Sequence, residues 1–230
     1  IGSLWADCGI DSEYQPLRAV LLHRPGGEIA VADADAAQML SQPDPARAAA
    51  QHDAMADAYR AAGVRVHYVE PQRVTPNLMF CADLFFMTPA GAILARPAST
   101  VRAGEEREVA RRLADLGVPI LRSVAGRGVF EGADAMWLDP HTVLIGAGLR
   151  TNDDGARQVA ATLAEQGVDA ITVQLPAGAM HLMGQLRIVD RDLAFVRRGR
   201  LEERGIAALR KRGMDVHFFP DDAEVDTGFA

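Results

Sequence analysis

Cysteine is almost missing from this chain. Cys8 and Cys81 are the only two among 230 residues, which excludes a disulfide framework and points to a reducing, cytoplasmic compartment. Long apolar runs are missing too: none approaches the roughly 18 residues of a membrane span, and the opening IGSLWADCGIDSE has neither the basic nor the hydrophobic region of a secretory leader. Basic charge is in deficit, with 24 Lys and Arg against 31 Asp and Glu. The resulting net charge of −7 repels phosphate backbones and anionic lipid. The one arginine-rich stretch, Arg197 to Arg212, is broken by Glu202 and Glu203, so neither nucleic acid nor membrane is an expected partner. The six histidines form no i, i+4 pair and no H-x-H, and no cysteine pair lies near them, so no metal or cofactor is expected. What is present is ordinary for a globular domain, 49% apolar and 24% charged, long enough to bury a sizeable core.

The chain repeats itself. AAGVRVHYVE, DLGVPILRSV, EQGVDAITVQL and KRGMDVHFFP place a glycine between a helix-like stretch and a β-rich one at Gly63, Gly117, Gly167 and Gly213, which are 54, 50 and 46 residues apart. Glycine suits the left-handed position that ends a helix, and β-branched and aromatic residues suit a buried strand. Two short apolar runs with a turn between them precede three of the helices, at Asp83–Pro97, Asp134–Gly148 and Gly184–Arg198, and read as hairpins. Apolar residues spaced near 3.6, such as Val109, Leu113 and Leu116, or Val159 and Leu163, give each helix one buried face.

The predicted unit is therefore strand, turn, strand, helix, strand, in copies near residues 17–70, 78–125, 130–176 and 181–220, all in one α/β domain. The first copy is the least regular. It fits if Leu17–Pro25 forms a hairpin strand and Pro45–Ala62 its helix. After the fourth copy an acidic stretch leads to Gly228, Phe229 and Ala230, which resembles the start of another hairpin. Together with a first residue that is Ile, this makes a truncated chain the expectation.

If copies curl about one centre, polar residues at the hairpin entrances converge. Asp83 and Asp134 each directly precede an apolar strand and are 51 residues apart, close to the repeat period, and His181 lies at the third entrance. Carboxylates and an imidazole so gathered suit a cationic substrate that undergoes proton transfer. Each residue also has a plain role. Asp before a strand is a common turn residue, Thr151 and Asn152 are good helix caps, and surface arginines such as Arg102 and Arg150 are usually solvated. Recurrence at matching repeat positions favours the functional reading.

FCADLFFM, FEGADAMWL, LRTNDDGARQV and HLMGQL together resemble the guanidino-group-modifying superfamily of arginine deiminases, dimethylarginine dimethylaminohydrolases and amidinotransferases. The resemblance implies the pentein fold, an α/β-propeller of five ββαβ units about a pseudo-fivefold axis, of which four are visible and the fifth is missing. It also implies that Asp83, Glu131 and His181 are catalytic, the carboxylates holding a guanidinium and the imidazole acting as general acid and base. Asn77, Asp134, Arg102 and Arg150 then bind substrate, the arginines at the α-carboxylate of a small guanidino amino acid. The family nucleophile is a cysteine of the fifth unit, which this sequence does not contain. Cys81, two residues before Asp83, reads better as a small buried side chain.

Two positions depart from the deiminase pattern: Ala82 stands where that pattern has Arg, and Met183 where it has a second guanidinium carboxylate. An apolar wall there tolerates an N-alkylated guanidine, which leans toward a dimethylarginine-hydrolase-like reaction. Amidino transfer to an amine and a non-catalytic binding scaffold stay open, as does homo-oligomerisation. A dinucleotide site at Gly146 and Gly148 is disfavoured, because the third glycine of that fingerprint is missing.

Overall fold

The computed structural model describes residues 8–31 and 33–220. The acidic stretch after Pro220 and the hairpin expected at Gly228 lie outside them. Three complete units follow the predicted order. In the second unit, β3 (Phe85–Thr88) and β4 (Gly91–Leu94) form a hairpin, α2 (Glu105–Asp115) crosses over, and β5 (Ile120–Ser123) returns parallel to β4. The third repeats this with β6 (Ala135–Asp139), β7 (Thr142–Ala147), α3 (Asp153–Ala164) and β8 (Asp169–Gln174). The fourth uses β9 (Leu186–Asp190), β10 (Leu193–Arg197), α4 (Glu203–Lys211) and β11 (Asp215–Phe219).

The first unit differs from the expectation. Its hairpin is not formed: a single strand β1 (Ala19–Leu22) pairs in parallel with β2 (Arg65–Tyr68) after α1 (Pro45–Ala61). The chain leaves β1 through His23-Arg24-Pro25-Gly26-Gly27, where Pro25 has no N–H for a ladder and the glycines favour irregular backbone. Among the described residues the four units make four separate sheets, one of two strands and three of three, and no sheet is closed.

Local signals read from the sequence act as expected. Gly63, Gly117, Gly167 and Gly213 end their helices with φ between 73° and 80°, in the left-handed region that costs other residues free energy. Asp44, not singled out in the sequence, also caps α1, accepting from the amides of Ala46 and Arg47, with Pro45 as the first helical residue. Asn152 caps α3 by accepting from Gly155 N at 2.8 Å.

The middle strands β4 and β7 are buried at every position, and they are largely apolar because both of their faces are covered. In the second unit, Ala92 and Leu94 pack with Val109 and Leu113 of their own helix α2. Phe86 and Ile93, on the other face, pack with Val159 and Leu163 of α3, in the next unit. The third unit repeats the arrangement: Val143 and Ile145 meet α3, while Met136, Leu138 and Leu144 meet Ile206 and Leu209 of α4. Burying such a side chain contributes about 1.5–3 kcal/mol, and half of that burial depends on the neighbour. Units thus lock in series, which holds their hairpin entrances together.

Candidate active site

Each complete unit enters its first strand through one turn of 3-10 helix: Cys81–Asp83 before β3, Gly132–Asp134 before β6 and Leu182–Gly184 before β9. The residue leading into the turn is Phe80, Glu131 or His181. Glu131 and His181 therefore occupy the same position of successive units, as Asp83 and Asp134 do. The second and third turns press close at Gly132. A Cβ there would lie 2.1 Å from Phe85 O and 2.5 Å from Ala82 O, so this contact exists only because the residue is glycine.

The turns bring Asp83, Glu131 and His181 together. His181 Nε2 lies 2.7 Å from Glu131 Oε2 and 3.9 Å from Asp83 Oδ1. The Glu131 side chain has no exposed surface. Its Oε1 accepts from Ala98 N at 3.2 Å and lies 3.7 Å from Arg150 Nη1. Burial alone would raise the proton affinity of Glu131, but the His181 hydrogen bond and the charges of His181, Arg102 and Arg150 outweigh it and hold the carboxyl below its ordinary range. For His181 burial would favour the neutral ring. The hydrogen bond it donates to Glu131 and the fields of Asp83 and Asp134 reverse that and raise its pKa above the ordinary 6.5. Both shifts favour the carboxylate and the imidazolium, and Nε2–H donates to the Glu131 carboxylate.

Arg102 fills the space beside them. Its Nη1 is 2.5 Å from Asp83 Oδ2 and 4.0 Å from Glu131 Oε2, and its Nε is 2.8 Å from Glu105 Oε2. Its Nη2 donates to the carbonyls of Asn77 and Phe80 at 3.3 and 3.1 Å. Expected at a substrate carboxylate, this guanidinium is instead engaged on every nitrogen. Asn77, expected beside it, donates its side-chain amide to Ala37 O at 2.8 Å. Both are buried, and burial drives polar groups to pair within the protein.

Asp134, expected at the substrate, turns into the interface between the third and fourth units. It accepts from Thr151 Oγ1 at 2.6 Å and from Leu182 N at 2.9 Å and has no exposed surface. Burial pushes its pKa up to about 6. Arg150 is the expected arginine that stays nearest a free surface. It borders a cleft of about 420 Å³ with Gln38, Met39, Ser99, Leu149 and Met180, its Nη2 is 3.4 Å from Gln38 Oε1, and its buried Nε has no hydrogen-bond partner among the described residues.

Cys81 is buried, donates to Leu78 O at 3.3 Å, and has its thiol pushed up to about 12 by burial, which makes it packing rather than nucleophile. The donor atoms of Asp83, Glu131 and His181 lie within 4.8 Å of one another, close enough to share one cation. Arg102 already sets a positive charge against two of them, so a divalent ion would meet repulsion there.

Two contributors escaped sequence reasoning. Glu105, the first residue of α2, buries its carboxylate between Arg102 and Thr75; the i, i+3 spacing from Arg102 was the available signal. Thr151 reads as a helix cap but serves Asp134, and nothing in its spacing announces that.

Residues 34–216 match the family model described as N,N dimethylarginine dimethylhydrolase, eukaryotic. An N(G),N(G)-dimethylarginine dimethylaminohydrolase of Pseudomonas aeruginosa is 29% identical over 153 residues, covering 66% of this chain and 59% of that protein. One from Mycobacterium tuberculosis is 30% identical over 144 residues, covering 62% and 46%. The match thus spans less than two thirds of these relatives' length. In fold, the chain is similar to the Pseudomonas enzyme solved as a cysteine-to-serine mutant complexed with citrulline, at TM-score 0.74, 22% identity, and coverage of 90% of this chain and 77% of that one. It is also similar to an amidinotransferase of the Microseira wollei saxitoxin pathway, at TM-score 0.69 and 16% identity, covering 93% and 76%. Among the described residues, no helix is long and apolar enough to cross a membrane.

Proposed function

Because the chain belongs to the N,N-dimethylarginine dimethylhydrolase family, we propose that it hydrolyses a guanidino C–N bond of arginine or an N-alkylated arginine. The observation that carries this reading is the trio from three units: His181 Nε2 at 2.7 Å from Glu131 and 3.9 Å from Asp83. A planar guanidinium seeks carboxylates in its plane, and a raised imidazole beside them starts as a proton donor.

In this reading a thiolate adds to the guanidinium carbon. The C–N bond then breaks, its electron pair stays on the departing amine, and His181 gives that nitrogen a proton. The neutral ring next takes a proton from water as the water attacks the thiouronium carbon; the C–S bond breaks, returning the thiolate, and the added hydroxyl gives up its remaining proton to solvent, leaving a ureido product. Neither Cys81 nor Cys8, which packs against the core cluster that includes Cys81 itself, serves as that thiolate. We extend the reading to the whole ring, the four units being members of five and the fifth bringing the thiolate. Arg150, with its unpaired Nε at the cleft, takes the substrate carboxylate. The apolar Met183 in the His181 turn favours an alkylated guanidine over an unsubstituted one.

The test is citrulline formation from dimethylarginine and from arginine by the full-length protein, with and without an added amine. Hydrolysis predicts citrulline that is insensitive to the amine and is abolished by His181→Ala. Transfer of the amidino group to the amine, or wild-type turnover by His181→Ala, refutes it. Arg150→Ala is expected to weaken substrates bearing a carboxylate more than simple guanidines.

A further inference from the structure

We propose that Asp134, acting through Thr151, is a positioning residue that sets the Glu131–His181 hydrogen bond; this rests on the hydrolase reading for its role in turnover but not for its geometry. Glu131 and His181 come from different units, and no strand pairing joins those units, whose strands lie in separate sheets. Something must fix one turn against the other. One Asp134 oxygen takes Leu182 N at 2.9 Å, the amide that follows His181. The other takes Thr151 Oγ1 at 2.6 Å, and Thr151 Oγ1 itself accepts from Glu131 N at 3.3 Å. The backbones of both partners are thus tied to one carboxylate, and Thr151 is flanked by Arg150 on one side and the α3 cap Asn152 on the other. All three of Asp134, Thr151 and Glu131 are fully buried, so water does not compete for these bonds.

The same repeat position has two fates, which supports the assignment. Asp83 ends its turn in the site beside His181 and Arg102, whereas Asp134 ends the next turn with both oxygens engaged away from it. A clasp that holds an acid–base pair within hydrogen-bond distance governs rate steeply, since a misplacement of about 1 Å can cost on the order of 100-fold.

Replacing Asp134 would also delete a negative charge whose field, like those of Asp83 and Glu131, reaches His181, so charge and geometry would change together. Thr151→Val deletes only the hydroxyl. Arg102 and Arg150, the cations behind Glu131, are untouched. The expected result in the full-length protein is a fall in kcat of about 10- to 100-fold with KM little changed, and a His181 titration midpoint, followed by NMR of its imidazole carbons, that moves down toward 6.5. Thr151→Ser keeps the hydroxyl and is expected to restore both. Should Thr151→Val fail to fold, comparing Thr151→Ala with Thr151→Ser isolates the same group.

A wild-type His181 midpoint in the hydroxyl-free variant, or equal losses in the alanine and serine variants, overturns the proposal. The NMR readout needs no substrate. A shifted midpoint in a protein that turns over no guanidino compound sinks the hydrolase reading and keeps the clasp; normal turnover with an unshifted midpoint does the reverse.

Discussion

Gly132→Ala tests whether the site depends on the close approach of two turns. The added methyl carbon would sit 2.1 Å from Phe85 O and 2.5 Å from Ala82 O, both backbone atoms that no rotamer change can clear. Ordinary contact begins near 3.4 Å, so the second and third turns must part by about 1 Å. Overpacking of this kind costs about 1–3 kcal/mol, which in a domain of this size lowers Tm by about 2–12 °C. The displacement also separates Asp83, on the second turn, from Glu131 and His181. At about 100-fold for 1 Å, kcat falls far more than the loss of folded protein explains. The assay is thermal unfolding beside citrulline formation for wild type, Gly132→Ala and Gly184→Ala. Gly184 ends the His181 turn with open space around its Cβ position and serves as the control, expected to match wild type in both. If Gly132→Ala keeps wild-type Tm and kcat, the two turns do not touch at Gly132, and the geometric basis of the site is wrong.

Glu131→Gln removes the main influence that raises His181 while leaving the ring buried, so its midpoint is expected to fall below 6.5, read by NMR. In wild type a raised His181 contributes stability that is complete below pH 6.5, the unfolded value, and is lost as pH rises through the native value; with its midpoint below 6.5, Glu131→Gln is expected to reverse the sign of that slope in Tm against pH. Arg102→Leu leaves Asp83 and the buried Glu105 without their cation, at a cost of about 3–5 kcal/mol, and chemical denaturation is expected to show it. Arg102→Lys should recover little, because one ammonium cannot reach two carboxylates and two carbonyls at once. Cys81→Ala is expected to keep full turnover, and native Cys81 to resist alkylation at neutral pH; a loss of activity above about tenfold in that variant would return the thiol to the mechanism.

Much of this molecule is legible in one dimension because it is built from short-range rules. The four helix-ending glycines, the caps Asp44 and Asn152, and the apolar strands of the later units act within a few residues of themselves, and the repeat period follows from them. That period also matches Glu131 to His181 across 50 residues, so their meeting follows once the units pack alike. What only the folded chain decides is direction. Asp83 and Asp134 are equivalent by position, yet one faces the imidazole and the other is drawn into a seam by Thr151 and Leu182. Arg102 resembles a carboxylate-binding arginine until Glu105, Asp83 and two carbonyls are seen around it. Pairing of buried polar groups depends on what lies across an interface, up to 50 residues away in sequence, and burial makes each such pairing strong. Local propensity carries no record of that partner, so the sequence determined the repeated units and the tertiary structure determined which of their polar residues gather beside the imidazole and which pair away from it.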